Sequence, residues 1–201
     1  MSRQRLPRYL QGDDVVTAAQ KLLGQYLVTE FNGKITAGRI VETEAYRAPE
    51  DKASHAYNYR RTARTEVMFG PSGNAYVYLC YGIHHLFNII CGPPGTPHAV
   101  LIRAIEPTHG LKTMMDRRKM TKLKPQLTAG PGVLSRALGI TKELSGVPLF
   151  NKESMIWIGK GERTSFQIHS SPRVGIDYAG EWVDKPWRFR IKGNPYTSPA
   201  K

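Results

Sequence analysis

The chain has 201 residues, of which 40% are hydrophobic and 22% charged, a composition typical of a folded protein that can bury a core without disulfides or metal. Its 29 Lys and Arg residues outweigh 16 acidic ones, and the formal net charge of +13 favours a polyanionic partner, nucleic acid ahead of an anionic membrane. There is no apolar run of membrane-spanning length and no secretory signal, and the reduced thiols of Cys80 and Cys91 show no zinc spacing. We therefore expect a cytoplasmic protein, nucleoid-associated in a prokaryote, with no membrane partner.

The first part of the chain predicts a basic irregular arm, a helix and a β-hairpin. The arm covers residues 1–10, and Asp13 and Asp14 then cap an amphipathic helix that ends near Gly24. Asn32-Gly33 is a strong turn signal between two strands, 26–31 and 34–46. Residues 47–73 are polar and rich in Arg, and they predict a long surface connection of the kind that often carries function.

The remaining elements are mostly strands. The predicted elements are strands at 74–81, 84–91 and 99–105, the last bounded by Pro107, a helix at 110–120, a shorter helix after Gly130-Pro131, and strands at 155–158, 166–174 and 187–192. Because no repeat or boundary interrupts this pattern, we predict one α+β domain over residues 1–201. Its sheet is mainly antiparallel and curved, with flanking helices and a protruding β-hairpin.

One strand carries two carboxylates on the same side. In a strand, Glu42, Glu44 and Tyr46 share one face, while Val41 and its alternating neighbours share the other. Two acids beside an aromatic ring could form a hydrolytic site. The residues alone favour the plainer alternative, a solvated polar face whose acids pair with arginines.

Tyrosines mark the next strand. Tyr76 and Tyr78 lie on one face, and Tyr81 comes at the strand end beside Gly82, which allows a sharp turn. An aromatic ring at such a tip can stack on bases or wedge between them. Half-buried sheet tyrosines are the commoner outcome, so the basic charge shifts this interpretation towards nucleic acid only in part.

Several cations are candidates for contacts with a phosphate backbone. They are Arg60 and Arg64 in the long connection, and Arg188, Arg190 and Lys192 two residues apart in the last strand. Such a stripe could follow a phosphate backbone, although a solvated face is the default for any run of charge.

A series of short motifs runs in order along residues 10–198. The motifs are RIVETEAY at 39–46, PED at 49–51, His55, MF at 68–69, YVY at 76–78, YG at 81–82, NI at 88–89, LIRAIEP at 101–107, GP at 130–131, RVG at 173–175, AGEW at 179–182 and KP at 185–186. This series resembles the alkyladenine (3-methyladenine) DNA glycosylases of the mammalian type. The long amino-terminal extension of mammalian members is absent, and Ile83 and His84 differ from their pattern.

The resemblance implies roles for the polar residues. Glu44 matches the general base that activates water, and Arg103 matches a residue beside that carboxylate and the water. Asn88 matches a pocket residue that clashes with the exocyclic amine of normal guanine. The role of Glu42 is left open.

The resemblance also implies roles for the rings. Tyr46, His55 and Tyr78 match residues that sandwich a base flipped out of the duplex, and Tyr81 matches the wedge that fills the gap. The family uses no metal or redox cofactor, and a DNA reader of this size can act as a monomer.

The expected function is therefore excision of damaged purines from double-stranded DNA. The enzyme would flip out 3-methyladenine, 7-methylguanine or hypoxanthine and hydrolyse the N-glycosidic bond, leaving an abasic site. Two alternatives remain: a non-catalytic nucleic-acid-binding module, and a metal-dependent nuclease that uses Glu42 and Glu44.

Overall fold

The computed structural model describes residues 1–161 and 165–199, and its framework is one eight-stranded antiparallel sheet. The strands are β1 (Tyr26–Phe31), β2 (Lys34–Tyr46), β3 (Ala75–Cys80), β4 (His84–Cys91), β5 (His98–His109), β6 (Ile156–Gly159), β7 (Ile168–Ser171) and β8 (Arg188–Ile191). Four α-helices accompany the sheet: α1 (Arg8–Gln11), α2 (Val15–Leu22), α3 (Leu111–Arg118) and α4 (Pro131–Leu138). The predicted α+β fold with a mainly antiparallel sheet is confirmed.

The long strand β2 lies at the centre of the sheet. The order is β3-β4-β5-β2-β1-β6, and β8 pairs with both β2 and β7. Because β2 has 13 residues, it pairs with β1 along its first half, with β8 at Glu42–Glu44, and with β5 along most of its length. Residues Glu42–Glu44 near the end of β2 are therefore paired with β5 on one side and with β8 on the other.

Local sequence explains the elements that precede this centre. The Asp14 carboxylate caps α2 by accepting the Thr17 amide at 2.9 Å, and the apolar positions of α2 face the sheet. Asn32 and Gly33 both have positive φ, 52° and 70°, as a two-residue hairpin turn requires.

The core separates the two faces of β2. Val41 and Ala45 join the main hydrophobic cluster with α2 and α4, and the Thr43 hydroxyl donates to the Ala19 carbonyl of α2. The alternating residues Glu42 and Glu44 consequently point to the opposite face, where both are fully buried.

Four predicted elements differ from the structure, of which the strand predicted at 166–174 is simply shorter, as β7. The arm is not irregular throughout, because residues 8–11 form α1, Leu10 is buried, and Arg3 donates to the carbonyls of Asn151 and Ser154. Strand β5 continues past Pro107 to His109, since a register shift between Ala37 and Gly38 places the proline at an irregular point of the ladder.

The 47–73 connection is the third difference: residues 57–64 are exposed, as expected of a surface connection, but the segments on either side of them contribute buried side chains. It contains short 3-10 helices at Tyr57–Tyr59 and Glu66–Phe69. Ala48, Ala56, Met68 and Phe69 pack with Tyr76, Ile90 and Ala99 in a second apolar cluster.

The other 3-10 helices lie at Pro125–Leu127, Lys142–Leu144 and Asp177–Trp182. Within the described part of the chain, no helix has the length and apolar character needed to cross a bilayer.

Candidate active site

A pocket of about 620 Å³ opens beside the carboxyl-terminal end of β2. Seven predicted site residues line it: Tyr46, His55, Arg64, Tyr78, Tyr81, Asn88 and Arg103. The 3-10 helix after Val174 and the start of α4 at Pro131 complete the wall. The volume lies within the range of about 300–1,000 Å³ that is typical of small-molecule sites.

The Glu44 carboxylate lies directly behind the wall of this pocket. The Tyr46 hydroxyl donates to its Oε2 at 2.8 Å, and the Val174 amide donates to its Oε1 at 2.9 Å. Arg103 Nη1 is 3.3 Å from the same Oε1. Although Glu44 itself is fully buried, all three partners line the pocket, so the carboxylate is one side chain removed from the open space.

A bulge in the sheet aims Arg103 at this carboxylate. The register of β2 and β5 shifts around Glu42, so that Ala104 pairs with Glu42 and Ile102 with Thr43, which leaves Arg103 without a partner in the ladder. Bulges of this kind redirect a side chain. Burial alone would lower the pKa of Arg103, but Glu44 and Glu42 outweigh it and raise that pKa, so the guanidinium is a permanent cation.

Three rings form one side of the pocket. The ring centroids of His55 and Tyr78 are 4.6 Å apart in an edge contact, and those of Tyr76 and Tyr78 are 5.5 Å apart. The Tyr76 hydroxyl and His55 Nδ1 are hydrogen-bonded at 2.8 Å. Tyr76 is only 2% exposed, so it supports the two outer rings instead of stacking on a ligand itself.

Asn88 is fixed at the same wall. Its side-chain amide donates to the carbonyls of Tyr76 at 3.2 Å and Leu86 at 3.4 Å, and the residue is 4% exposed. Both amide protons are thus committed to the main chain, which prevents the side chain from moving away from a ligand.

Tyr46 is supported by a buried ion pair that the sequence prediction missed. The guanidinium carbon of Arg173 is 4.7 Å from the Tyr46 ring centroid, and Arg173 donates to the Asp51 carboxylate and to the Ala45 carbonyl. Arg173 precedes Val174, so one segment both supports Tyr46 and supplies an amide to Glu44. A separation of 122 residues between Asp51 and Arg173 leaves no spacing signal in the sequence.

Two exposed tyrosines flank the mouth of the pocket. Tyr81 is 90% exposed at the tip of the β3–β4 hairpin, where Tyr81 and Gly82 have positive φ of 50° and 71°. Tyr178, in the 3-10 helix Asp177–Trp182, is 69% exposed and also lines the pocket. Tyr178 was not predicted, because an isolated tyrosine after a loop carries no positional signal.

The predicted backbone-binding cations divide into two groups. Arg60, Arg64 and Lys192 are exposed, Arg190 is partly buried, and Arg64 reaches the pocket with its guanidinium 5.9 Å from the Tyr78 ring. The prediction for Arg188 is wrong. Arg188 is 2% exposed and donates to Glu42 at 2.7 Å, so a phosphate backbone cannot reach it.

The two carboxylates of the motif are therefore not a solvated face, because both are fully buried. Arg103 forms ion pairs with both, at 3.0 Å from Glu42 and 3.3 Å from Glu44. Over residues 1–161 and 165–199, no cluster of three or more His, Cys, Asp or Glu side chains is arranged to hold a metal ion.

Comparison with known proteins agrees with this arrangement. The family model described as "Methylpurine-DNA glycosylase (MPG)" matches residues 9–195. A Chlamydia pneumoniae protein named "Putative 3-methyladenine DNA glycosylase" is 50% identical over 184 residues, which cover 91% of this chain and 92% of the relative. Proteins of the same name from Bacillus cereus and Bacillus anthracis are 47% and 48% identical over 203 aligned positions, covering 97% of this chain and 98% of each relative.

Proposed function

The chain belongs to the methylpurine-DNA glycosylase family, and from that membership we propose that it is a monofunctional 3-methyladenine DNA glycosylase of base excision repair. It flips a damaged purine into the aromatic pocket, hydrolyses the N-glycosidic bond and leaves an abasic site. The observation that carries the proposal is the Glu44 carboxylate, buried behind Tyr46, Arg103 and Val174 in the wall of that pocket.

Glu44 acts as the general base. Each carboxylate oxygen has two lone pairs, and the Tyr46 hydroxyl occupies only one on Oε2 at 2.8 Å, which leaves the second to accept a hydrogen bond from water. The carboxylate deprotonates that water as it attacks C1′ of the sugar. Its negative charge also stabilises the oxocarbenium-like transition state, and Arg103 holds it in place at 3.3 Å.

The rings bind the flipped base. The Tyr46 ring, which packs against the Arg173 guanidinium, lines the pocket, and His55 and Tyr78 provide two further rings. A purine alkylated at N3 or N7 is positively charged, so it is attracted to electron-rich ring faces by a cation–π interaction. The same charge makes the base a better leaving group, and bond cleavage then needs little acid assistance.

Discrimination against normal guanine is assigned to Asn88. Its amide is held by two main-chain carbonyls at 3.2 and 3.4 Å, so the side chain cannot yield to the exocyclic amine of guanine. Tyr81 extends from the hairpin tip and fills the space that the flipped nucleotide leaves.

Substrate range and DNA contacts complete the proposal. The substrates include 7-methylguanine and hypoxanthine besides 3-methyladenine, and the enzyme acts as a monomer on double-stranded DNA. Arg60, Arg64, Arg190 and Lys192 contact the phosphate backbone. The relatives reported above are bacterial, and we propose that the chain also resembles the mammalian members of the family.

A base-release assay tests the function directly. Duplexes containing 3-methyladenine, 7-methylguanine or hypoxanthine are incubated with the protein in EDTA, with an undamaged duplex as control. We expect free damaged base, and a DNA strand that breaks only after alkali treatment. Strand cleavage that EDTA abolishes would support the nuclease alternative, and tight binding without any base release would support the non-catalytic module.

A further inference from the structure

A cluster of buried charges lies directly behind Arg103, on the side away from the pocket. Its centre is Glu42, which is fully buried. Arg103 Nε donates to Glu42 Oε1 at 3.0 Å, and Arg188 Nε donates to the same oxygen at 2.7 Å. Neither Glu42 nor Arg188 lines the pocket, so this cluster does not meet a ligand.

Ser198 closes the cluster with both its main chain and its side chain. Its amide donates to Glu42 Oε2, and its hydroxyl donates to Glu42 Oε1 at 2.9 Å. The same hydroxyl accepts from Arg188 Nη2 at 3.2 Å and from Arg103 Nη2 at 3.5 Å. One donor and two acceptor positions are all that a serine hydroxyl offers, so its hydrogen-bonding capacity is fully used.

These contacts leave Arg103 a single orientation. A guanidinium is a rigid planar fork, so fixing Nε on Glu42 and Nη2 on Ser198 also fixes the direction of Nη1. That third nitrogen lies 3.3 Å from Glu44 Oε1, at ion-pair distance. Arg103 consequently touches Glu44 through one nitrogen only.

A freely rotating arginine would behave differently. Arginine and carboxylate pairs favour a bidentate arrangement with two parallel hydrogen bonds. Such a pair at Glu44 would occupy the lone pairs that a general base needs for its water. The hydrogen bond from Arg103 Nε to Glu42 prevents this bidentate pairing, so that Arg103 contacts Glu44 through one nitrogen.

We propose that Glu42 and Ser198 are positioning residues that hold Arg103 in a one-nitrogen contact with Glu44 and so keep Glu44 available to activate water. This inference rests on the proposed roles of Glu44 and Arg103. It assigns a function to Glu42, which the sequence motif left without one, and to the 194–199 segment, which contains none of the predicted site residues.

The test compares three substitutions in and beside Ser198. Ser198→Ala removes the hydroxyl, and Ser198→Thr keeps it. Thr197→Ala is the matched control, because the Thr197 hydroxyl donates to the Asn194 carbonyl at 3.1 Å within the same segment and does not contact the charges. Single-turnover base release and the dissociation constant for damaged duplex are measured for each protein.

We expect Ser198→Ala to slow base release roughly tenfold, the factor that corresponds to one lost hydrogen bond to a charged group. The dissociation constant should stay unchanged, Ser198→Thr should restore most of the rate, and Thr197→Ala should match the wild type. A residue that only stabilised the fold would lower the unfolding temperature without changing the rate of the folded enzyme.

A spectroscopic measurement reads the position of Arg103 without relying on activity. The side-chain ¹⁵Nε–¹H resonance of Arg103 is expected to be protected from exchange in the wild type and exposed to it in Ser198→Ala and Glu42→Gln. The inference is overturned if Ser198→Ala releases base at the wild-type rate, if Thr197→Ala is equally slow, or if the Arg103 resonance is unaffected. Failure of the wild type to release any base would instead overturn the proposed function, and the resonance would still decide whether Ser198 positions Arg103.

Discussion

His55 is a pocket ring whose charge is controlled by its surroundings. Burial, and then the guanidinium groups of Arg64 and Arg60, lower the pKa of His55 to about 4 from its ordinary 6.5. A neutral imidazole is required if the ring is to stack on a cationic purine, because a protonated one would repel it. Arg64 and Arg60, proposed to contact the phosphate backbone, therefore also help to keep the imidazole neutral.

The first prediction concerns this pKa. Arg64→Gln should raise the pKa of His55, because a nearby positive charge is lost, yet leave it below 6.5, because burial is the larger cause. Arg61→Gln is the control, since Arg61 pairs with Glu66 at 3.6 Å and lies over Phe69. An NMR titration of the imidazole resonances measures both, and a wild-type midpoint near 6.5 would contradict the account.

The same shift gives a pH dependence of stability. Between pH 6.5 and about 4 the unfolded chain binds a proton at His55 that the folded chain does not bind. His55 therefore makes the free energy of unfolding fall as the pH falls through that window, and it adds no further loss below it.

Single residues show what the sequence could and could not predict. The resemblance named Glu44 and Arg103, and the structure brings them together at 3.3 Å. Alternation along a strand placed Arg188 on a face, but it could not show that Glu42 and Ser198 cover that face. The Val174 amide could not be predicted either, because a main-chain donor has no side-chain signature.

At the scale of elements, the β3–β4 hairpin carries Tyr81, the proposed wedge. Its tip is built from Tyr81 and Gly82 in the left-handed region, which turns the chain sharply and leaves the Tyr81 ring 90% exposed. A bulky residue with positive φ is uncommon and strained, and such strain is found preferentially at functional sites.

The second prediction tests this element. Tyr81→Ala should change the free energy of unfolding by less than about 0.5 kcal/mol, because the ring packs against little of the protein. Base release from duplex DNA should fall roughly tenfold or more, because a wedge offsets part of an unstacking cost of a few kcal/mol. The loss should be smaller when the damaged base is already unpaired.

Ile35→Ala provides the control for Tyr81, since Ile35 is another exposed apolar side chain, 48% exposed, on the separate β1–β2 hairpin. It should release base at the wild-type rate. An equal loss of Tyr81→Ala activity on paired and unpaired damage would argue against a role in flipping.

Elements were predicted well where the pattern is local. The Asn32-Gly33 hairpin, the cap of α2 and the strands β3 and β4 follow from neighbouring residues. The extension of β5 through Pro107 depends on a register shift against β2, and the folded 47–73 connection depends on packing against Tyr76 and Ile90. Both depend on contacts between residues far apart in the chain, which the hydrophobic periodicity of a segment cannot predict.

At the scale of the whole molecule, the formal net charge of +13 dominates encounter with DNA. Such a field speeds association and makes affinity depend on salt, since each phosphate contact releases counterions. Composition alone predicted a polyanionic partner, although it could not distinguish catalysis from binding; that distinction comes from the family match.

The third prediction is the salt dependence of binding. The logarithm of the binding constant for duplex DNA should fall linearly with the logarithm of salt concentration, and Arg64→Gln should reduce the slope by about one. Lys112→Gln on α3, whose side chain is 90% exposed and pairs with Asp116, is the matched control and should leave the slope unchanged. Equal slopes for all three proteins would remove Arg64 from the DNA interface.

The most direct test of the account is base release by Glu44→Gln, measured under single-turnover conditions beside DNA binding. We predict a fall in the release rate of at least roughly 10²-fold, the contribution expected of a general base, with the dissociation constant for damaged duplex retained. Glu106→Gln changes a partly exposed carboxylate that pairs with Arg39 at 2.8 Å and should behave as the wild type. Wild-type base release by Glu44→Gln would contradict the assignment of this carboxylate as the base that activates water.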